Sequence, residues 1–400
     1  MRLFKFLLVF GILCGLIILL NTHAPFQSSL PAMGKVMSPF TGFWQNAAAA
    51  AHPEELAVAA RDLSEPAEVV FDDRLVPHIY AATNEDAAFV QGYLHGMHRL
   101  WQMDIATRAV GGRLSEVLGE RTLQRDITQR KKGMTYAAEN ALRAWMSSPD
   151  EAALLEAYAA GVNAYLEQLK PRDYPLEFKL LGYVPEAWTP MKSALFLKYM
   201  AESLCFQHRD LEASNSYDLL GEELFELLYP EYNPRQSPII PEEVVFDFEA
   251  RAPLPASPHE HQLGLASPFV PLQQPPEGNG SNNWAVAPEK TANGHAILCS
   301  DPHLGLTLPS IWYETHISTP DLDAYGVSLP GEPGILIGFN QYIAWAETNV
   351  GHDVLDWYTI DWANEERSAY HYEGTTQEVA IRRDTILVKG QKPHIEATKY

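Results

Sequence analysis

The residues best placed to do chemistry lie in Gly278-Asn279-Gly280-Ser281-Asn282-Asn283-Trp284, a small polar stretch that runs into a β pattern. Read blandly, Ser281 is one more serine in a Gly-Ser turn. Cutting the Gly280–Ser281 bond would change that. The freed α-amine would titrate at about 7.7–8. It could act as general base for the hydroxyl of its own residue, directly or through one water. Nucleophile and base would then be one residue. The same hydroxyl could make the cut by attacking the carbonyl of Gly280 in an N-to-O acyl shift. Gly280 has no side chain to obstruct the attack and tolerates a strained backbone.

Other candidates are weighed against that serine. His303, in Asp301-Pro302-His303-Leu304-Gly305, sits on the turn after the second predicted strand. It is either a satisfied structural histidine or a group that orients the amine or hydroxyl of the nucleophile. His95 and His98 have the i, i+3 spacing of a helical metal pair, but no third ligand is evident; zinc-dependent hydrolysis through them is a competing hypothesis. Asp353 and Asp356, with Asp210 far upstream, offer hard oxygen ligands of the kind Ca²⁺ takes, although scattered carboxylates are ordinarily just solvated. No Gly-x-Ser-x-Gly elbow, phosphate loop or dinucleotide fingerprint occurs, so no organic cofactor is expected.

The elements that must position these groups change character along the chain. Glu68 to Phe71 and His78 to Ala82 read as two short strands joined by Asp72-Asp73-Arg74, after a short helix opening at Pro53-Glu54-Glu55. Asn84 is expected to cap a long helix with Glu85 and Asp86 in its first turn, where negative charge suits the dipole. Phe89, Tyr93, Met97, Leu100, Trp101 and Ile105 give that helix one apolar face, and Gly111-Gly112 ends it. Further helices are expected after Asp150, from Pro190 toward Cys205, and over Asn215 to Leu228. From 236 to 280 prolines recur without any period, which reads as a linker. A structureless loop of such length inside a compact domain needs a functional excuse, and a removable propeptide supplies one. After Ser281 the period becomes two. Trp284 to Ala287, His295 to Ser300, Ile311 to Ser318, Ile335 to Phe339, Tyr342 to Glu347, Trp357 to Asp361 and Glu378 to Lys389 read as strands.

Composition sets the outer bounds. The chain has 400 residues, 46% hydrophobic and 11% aromatic, enough for a large core, and a formal net charge of −22. That charge repels phosphate backbones and argues against nucleic acid as a partner. Cys14 lies in the N-terminal apolar run; Cys205 and Cys299 are too few for a disulfide framework and read as separate buried thiols, with a bridge open to them in an oxidising compartment. Arg2 and Lys5 precede an uncharged run from Phe6 to Leu20, the pattern of an export signal. A poor cleavage site around Thr22-His23-Ala24 favours an uncleaved anchor over residues 1–24, followed by a stem over 25–50. The remainder is then expected to be periplasmic, tethered to the inner membrane.

Three blocks of the sequence resemble the penicillin acylase family of N-terminal-nucleophile hydrolases. The first is Val76-Pro77-His78-Ile79-Tyr80 with Gln91-Gly92-Tyr93-Leu94-His95-Gly96-Met97-His98-Arg99-Leu100-Trp101-Gln102-Met103-Asp104 and Gly112-Arg113-Leu114. The second is Gly280-Ser281-Asn282-Asn283-Trp284 with Asp301-Pro302-His303-Leu304-Gly305 and Pro309-Ser310-Ile311-Trp312-Tyr313. The third is Gly338-Phe339-Asn340 with Ile343-Ala344-Trp345. The resemblance implies an α+β fold with a four-layer αββα core: a helical N-terminal half over 51–235, a propeptide over 236–280 and a β-rich part from 281 to 400. It implies a precursor cut into α and β chains, with Ser281 as nucleophile, His303 beside it, and the backbone N–H of Asn349 on the oxyanion. Leu304, Ile337 and Val350 fall where the family lines its acyl pocket. Asp210, Asp353, the carbonyl of Leu355 and Asp356 fall where it binds structural calcium. Family chains are roughly twice as long, and no position here matches the asparagine side chain that completes their oxyanion hole. The chain therefore reads as the first part of a longer protein, or as truncated at its C-terminus.

The expected activity is hydrolysis of a small N-acyl amide, such as a β-lactam side chain or an acyl-homoserine lactone, through an acyl-serine intermediate. The alternative from a different class is a membrane-anchored binding protein that keeps the fold without the chemistry.

Overall fold

The computed structural model describes residues 2–21, 33–47, 55–58, 63–205, 209–230, 280–349 and 354–399. The expected linker over 236–280 lies outside them except for Gly280. Helix α1 (Arg2–Asn21) is apolar, with mean hydropathy 2.8 over its best 18-residue window, and is exposed apart from the half-buried Cys14. Its 20 residues are long enough to cross a membrane by length and composition.

The chain divides into two units, one of residues 1–203, 277–350 and 380–400, the other of 204–276 and 351–379. In the first, seven described strands form one sheet in the order β1 (Glu55–Val58), β2 (Ala67–Phe71), β3 (Pro77–Tyr80), β6 (Tyr313–Ser318), β7 (Asp323–Ser328), β8 (Ile337–Phe339), β9 (Ala344–Trp345). All neighbours are antiparallel except β3 and β6, which run parallel with His78 opposite His316. Helical half and β-rich half are therefore not separate domains: one sheet is shared by strands from both sides of the proline-rich segment.

Alternation along the strands decides which face is covered. Val69, Phe71, Ile79, Tyr313 and Ile317 point to one face and are buried there with Phe89, Val90 and Leu94 of helix α2 (Asn84–Val110). Helix α3 (Pro149–Gln168) packs behind α2, joining Tyr158, Ala159 and Val162 to Ala88, Met103 and Trp188. The two helices cross almost backbone to backbone. A methyl added at Gly161 would stand 1.8 Å from the carbonyl oxygen of Phe89, and one at Gly92 would stand 2.2 Å from that of Tyr158. Only glycine permits so close an approach. The far end of α2 is fixed by a buried ionic cluster. Arg108 meets Asp104 at 2.8 Å, Glu116 at 2.6 Å and Glu186 at 2.7 Å, and Arg113 forks onto the same two glutamates.

Several sequence expectations need correction. Residues 55–58 form a strand, not a helix, because an extended partner in β2 is available to pair with them. The cap of α2 is Thr83, whose hydroxyl accepts from the Asp86 N–H at 3.0 Å; Asn84 is the first helical residue and accepts from the Thr319 hydroxyl instead. The helix expected over Asn215–Leu228 is two, α5 (Arg209–Leu220) and α6 (Glu222–Leu228), broken at Gly221 with φ 73°. Strand β7 was not anticipated, since its centre at Gly326 interrupts the β pattern. Residues 357–361 are not a strand; the neighbouring Trp362 makes an isolated bridge to Tyr370. The helix from Pro190, here α4 (Pro190–Cys205), begins where expected, and the three cysteines are unbridged and half-buried.

Candidate active site

Ser281 does not sit in a turn. It is the second residue of β4 (Gly280–Val286), which pairs antiparallel with β5 (Ile297–His303) as a separate ribbon. The register sets Gly280 opposite His303, Ser281 opposite Pro302 and Asn283 opposite Ser300. Directly opposed residues share a face and successive residues alternate. Ser281, Asn283, Ser300 and Pro302 thus line one face. Gly280, Asn282, Asp301 and His303 line the other.

The Ser281 hydroxyl is shut off from solvent and has no hydrogen-bond partner among the described residues; the Ser300 hydroxyl on the same face is in the same state. A buried hydroxyl without a partner costs about 1–3 kcal/mol, so such groups are exceptions that ask for a reason. Around Gly280 the space is open, with nothing within 4 Å of where a Cβ would stand. The apolar side chains of the ribbon are largely outside: Trp284 is 54% exposed and Ile297 45%.

His303 lies across the register from the bond expected to be cut. Its Nε2 is 2.7 Å from Asp301 Oδ2, two residues back on the same face, and both side chains are substantially exposed. By the pleat, the His303 ring and the Ser281 hydroxyl project from opposite faces of the ribbon. Leu304 follows in a tight turn, its N–H donating to the Pro302 carbonyl at 3.0 Å. Ile337 and Asn349 belong to a different part of the unit: Ile337 is in β8, and Asn349 is exposed on the segment after β9. The structure therefore joins Ser281, His303 and Leu304 in one ribbon and leaves Ile337 and Asn349 on or beside the seven-stranded sheet. Val350 and Asp353 lie outside the described residues. In the second unit, Asp210 is in the first turn of α5, and Val354, directly before Leu355 and Asp356, donates its N–H to the Cys205 carbonyl at 3.1 Å. That bond ties the start of the Leu355–Asp356 segment to Cys205.

The histidine pair His95 and His98 is structural. His95 is fully buried, with Nδ1 2.8 Å from the Tyr158 hydroxyl and Nε2 3.1 Å from the Ser328 hydroxyl. Burial, with His98 and Arg99 adding to it, pushes its pKa down to about 3. Both ring nitrogens are used, so neither is left for zinc. His98 Nδ1 lies 2.7 Å from the Tyr313 hydroxyl. Gln91 of the same block clamps the turn before β8, donating to the Gly334 carbonyl at 2.9 Å and accepting from its N–H at 2.8 Å. One group in that turn escaped the sequence reading. Glu332 is half-buried beside Tyr158, with Oε1 shut off from solvent, and the desolvation pushes its carboxyl up to about 7. A glutamate flanked by Gly331 and Pro333 gives no sequence signal of burial, because turns of that composition ordinarily face water.

Comparison with known proteins decides what kind of ribbon this is. The penicillin amidase family model matches residues 66–400. The chain belongs to the penicillin amidase family. Over 320 residues it is 32% identical to the acyl-homoserine lactone acylase QuiP of Pseudomonas aeruginosa, a match covering 80% of this chain and 37% of that protein. Over 334 residues it is 31% identical to the penicillin acylase 2 proenzyme of Pseudomonas sp. (strain SE83), covering 82% of this chain and 42% of that one. The chain spans about two fifths of the length of these curated relatives. Among solved structures, the thermostable penicillin G acylase from Alcaligenes faecalis matches at 25% identity with a TM-score of 0.40, covering 44% of this chain and 98% of that chain. In this penicillin amidase family member, the α+β class holds, with α2 and α3 stacked on the seven-stranded sheet.

Proposed function

We propose that this protein is an exported amidohydrolase of the acylase type, with Ser281 as its nucleophile. The observation that carries the reading is the Ser281 hydroxyl: buried, without a partner among the described residues, and one bond from an unobstructed glycine. Family membership and the names of the relatives, acyl-homoserine lactone acylase and penicillin acylase proenzyme, support the substrate class. Small N-acyl amides are the substrates proposed.

Maturation begins when Ser281 Oγ attacks the carbonyl carbon of Gly280. The peptide C–N bond breaks, an ester forms, and water hydrolyses it to leave a Gly280 carboxylate and a free Ser281 amine. In turnover that amine takes the proton from Oγ as Oγ attacks the substrate amide. The N–H of Asn349 stabilises the oxyanion, and the ammonium returns the proton to the departing amine. Water then frees the acyl group. Each oxyanion donor of this kind is worth about 10²–10³ in rate. His303, across the register from Gly280, orients the nucleophile's surroundings. Leu304, Ile337 and Val350 line the acyl pocket. The carboxylates of Asp210, Asp353 and Asp356, with the carbonyl of Leu355, are an all-oxygen donor set of the kind a Ca²⁺ ion takes. The ion would brace the second unit and take no part in proton transfer. Helix α1 holds the protein to the inner membrane from the periplasmic side.

The test compares the full-length protein with Ser281→Ala on a denaturing gel and in a hydrolysis screen over N-acyl amides of graded chain length. Two chains and activity are expected, collapsing to one inactive chain in the variant. A wild-type protein that stays a single chain yet hydrolyses amides overturns the mechanism.

A further inference from the structure

The first acidic residue of this acidic chain is Glu54; residues 1–53 carry Arg2, Lys5 and Lys35 but no aspartate or glutamate. Within that stretch, residues 33–47 are folded rather than extended. The Phe43 N–H donates to the Val36 carbonyl at 2.8 Å and the Gly42 N–H to the Ser38 carbonyl at 2.8 Å, closing a loop with Phe40 at its tip. Val36 is buried, whereas Met33, Met37, Phe40 and Trp44 are in the open, Phe40 78% exposed and Trp44 51%. Trp44 leans on Phe43, their ring centroids 4.2 Å apart.

Two attachments fix where this loop sits. On one side Gly34 lies against the end of α1: a methyl there would stand 2.9 Å from Asn21 Oδ1. On the other side Lys179 clamps the loop to the helical body. Its Nζ donates to the Gly42 carbonyl at 3.3 Å and to Asn46 Oδ1 at 2.6 Å, and Asn46 Nδ2 donates to the Tyr174 carbonyl at 3.0 Å. At 1.5 Å per residue, α1 is about 30 Å long, the thickness of the hydrocarbon core of a bilayer. With Arg2 and Lys5 on the inner side, Asn21 stands at the outer boundary of that core. The loop packed on Asn21 stands at the same level.

We propose that residues 33–47 are an interfacial loop: Met33, Met37, Phe40 and Trp44 enter the headgroup–acyl boundary where α1 emerges, with Lys35 on the lipid phosphates. This rests on the reading of α1 as an anchor. The chemistry matches. Tryptophan favours the membrane–water boundary because its ring is amphipathic, and phenylalanine and methionine supply apolar area to bury there. A loop without carboxylates escapes the repulsion that anionic headgroups exert on a chain of net charge −22. The clamp on Lys179 turns lipid affinity into orientation. The helical body is held at the surface by the side that carries the short helix Leu176–Leu181, instead of swinging on a tether.

The experiment reconstitutes the full-length protein in vesicles of phosphatidylcholine brominated at shallow acyl positions, with and without phosphatidylglycerol. Flotation after an alkaline wash reports on α1. Trp44 is the first tryptophan of the chain and α1 contains none, so the difference in bromolipid quenching between wild type and Trp44→Phe isolates the loop. The wild type is expected to float and to lose fluorescence to bromolipid, a loss largely absent in Trp44→Phe. Phe40→Asp, at an exposed tip that the fold does not use, should still float but leave Trp44 unquenched. Lys35→Gln should lower the docked-to-undocked ratio on phosphatidylglycerol vesicles about fivefold. Protein that fails to float overturns the anchor and the interfacial loop together. Protein that floats with equal quenching in wild type and Trp44→Phe overturns the loop's role alone, and a Trp44 shielded from both bromolipid and aqueous iodide puts a second copy of the chain there instead.

Discussion

The seam between β3 and β6 and the ribbon of β4 and β5 are both made of short strands, yet they are finished differently. At the seam, Ile79 and Ile317 are fully covered by α2, and the Thr315 hydroxyl donates to the Pro77 carbonyl at 3.1 Å. On the ribbon, large apolar side chains stand in the open and two hydroxyls are buried without partners among the described residues. The difference separates two jobs. Apolar burial and satisfied polar groups hold a scaffold together. A nucleophile must keep its lone pairs uncommitted, and the scaffold has to carry that cost elsewhere.

If that division is right, damage to the scaffold should unfold the protein and damage to the ribbon should not. The largest effect is expected from Arg108→Ala, which strips the buried Asp104 and the partly exposed Glu116 and Glu186 of a shared partner and should cost about 3–5 kcal/mol in urea unfolding. Gly161→Ala drives a methyl into the Phe89 carbonyl and should cost about 1–3 kcal/mol or more by the same measurement. A smaller effect, dependent on pH, is expected at Glu332. Its folded pKa of about 7 lies above the unfolded value, so the neutral carboxyl stabilises fully below about pH 4.5 and that contribution is lost as pH rises to about 7. Glu332→Gln should remove this loss, worth at most about 3 kcal/mol, when unfolding is compared at pH 5 and pH 7.5. His95 acts in the opposite direction. With its folded pKa depressed to about 3, its contribution is lost as pH falls below about 6.5. Least of all, Trp284→Ser on the ribbon should move stability by no more than about 0.5 kcal/mol. A large loss there would mean that the ribbon is scaffold after all.

How far the sequence could be read follows the same division. Helix α2 was legible from its apolar face and terminal glycines, and the hairpin of β2 and β3 from its Asp-Asp-Arg turn, because local rules govern both. Ser281 stood out as a candidate nucleophile, but its place inside a strand was not legible, since Gly-Asn-Gly-Ser favours turns and only pairing with Ile297–His303 overrides that. The seam was invisible: nothing local to Pro77–Tyr80 names Tyr313–Ser318 as its neighbour. Glu332 was missed for a related reason, because its burial is imposed by α3, a distant element. The pairing of His78 with His316 depends on register across the seam, which no spacing in the sequence records.

The seam also sets a timetable. His78 and His316 are 238 residues apart. At about 5–20 residues per second of synthesis, the β2–β3 hairpin waits roughly 12–50 s before β6 exists to join it. Throughout that interval one edge of the hairpin is unpaired and Ile79 is denied its neighbour Ile317. An edge of this kind invites pairing with other chains. The newly made protein is therefore most exposed to aggregation in its first minute, when a holding chaperone on the N-terminal segment does the most good.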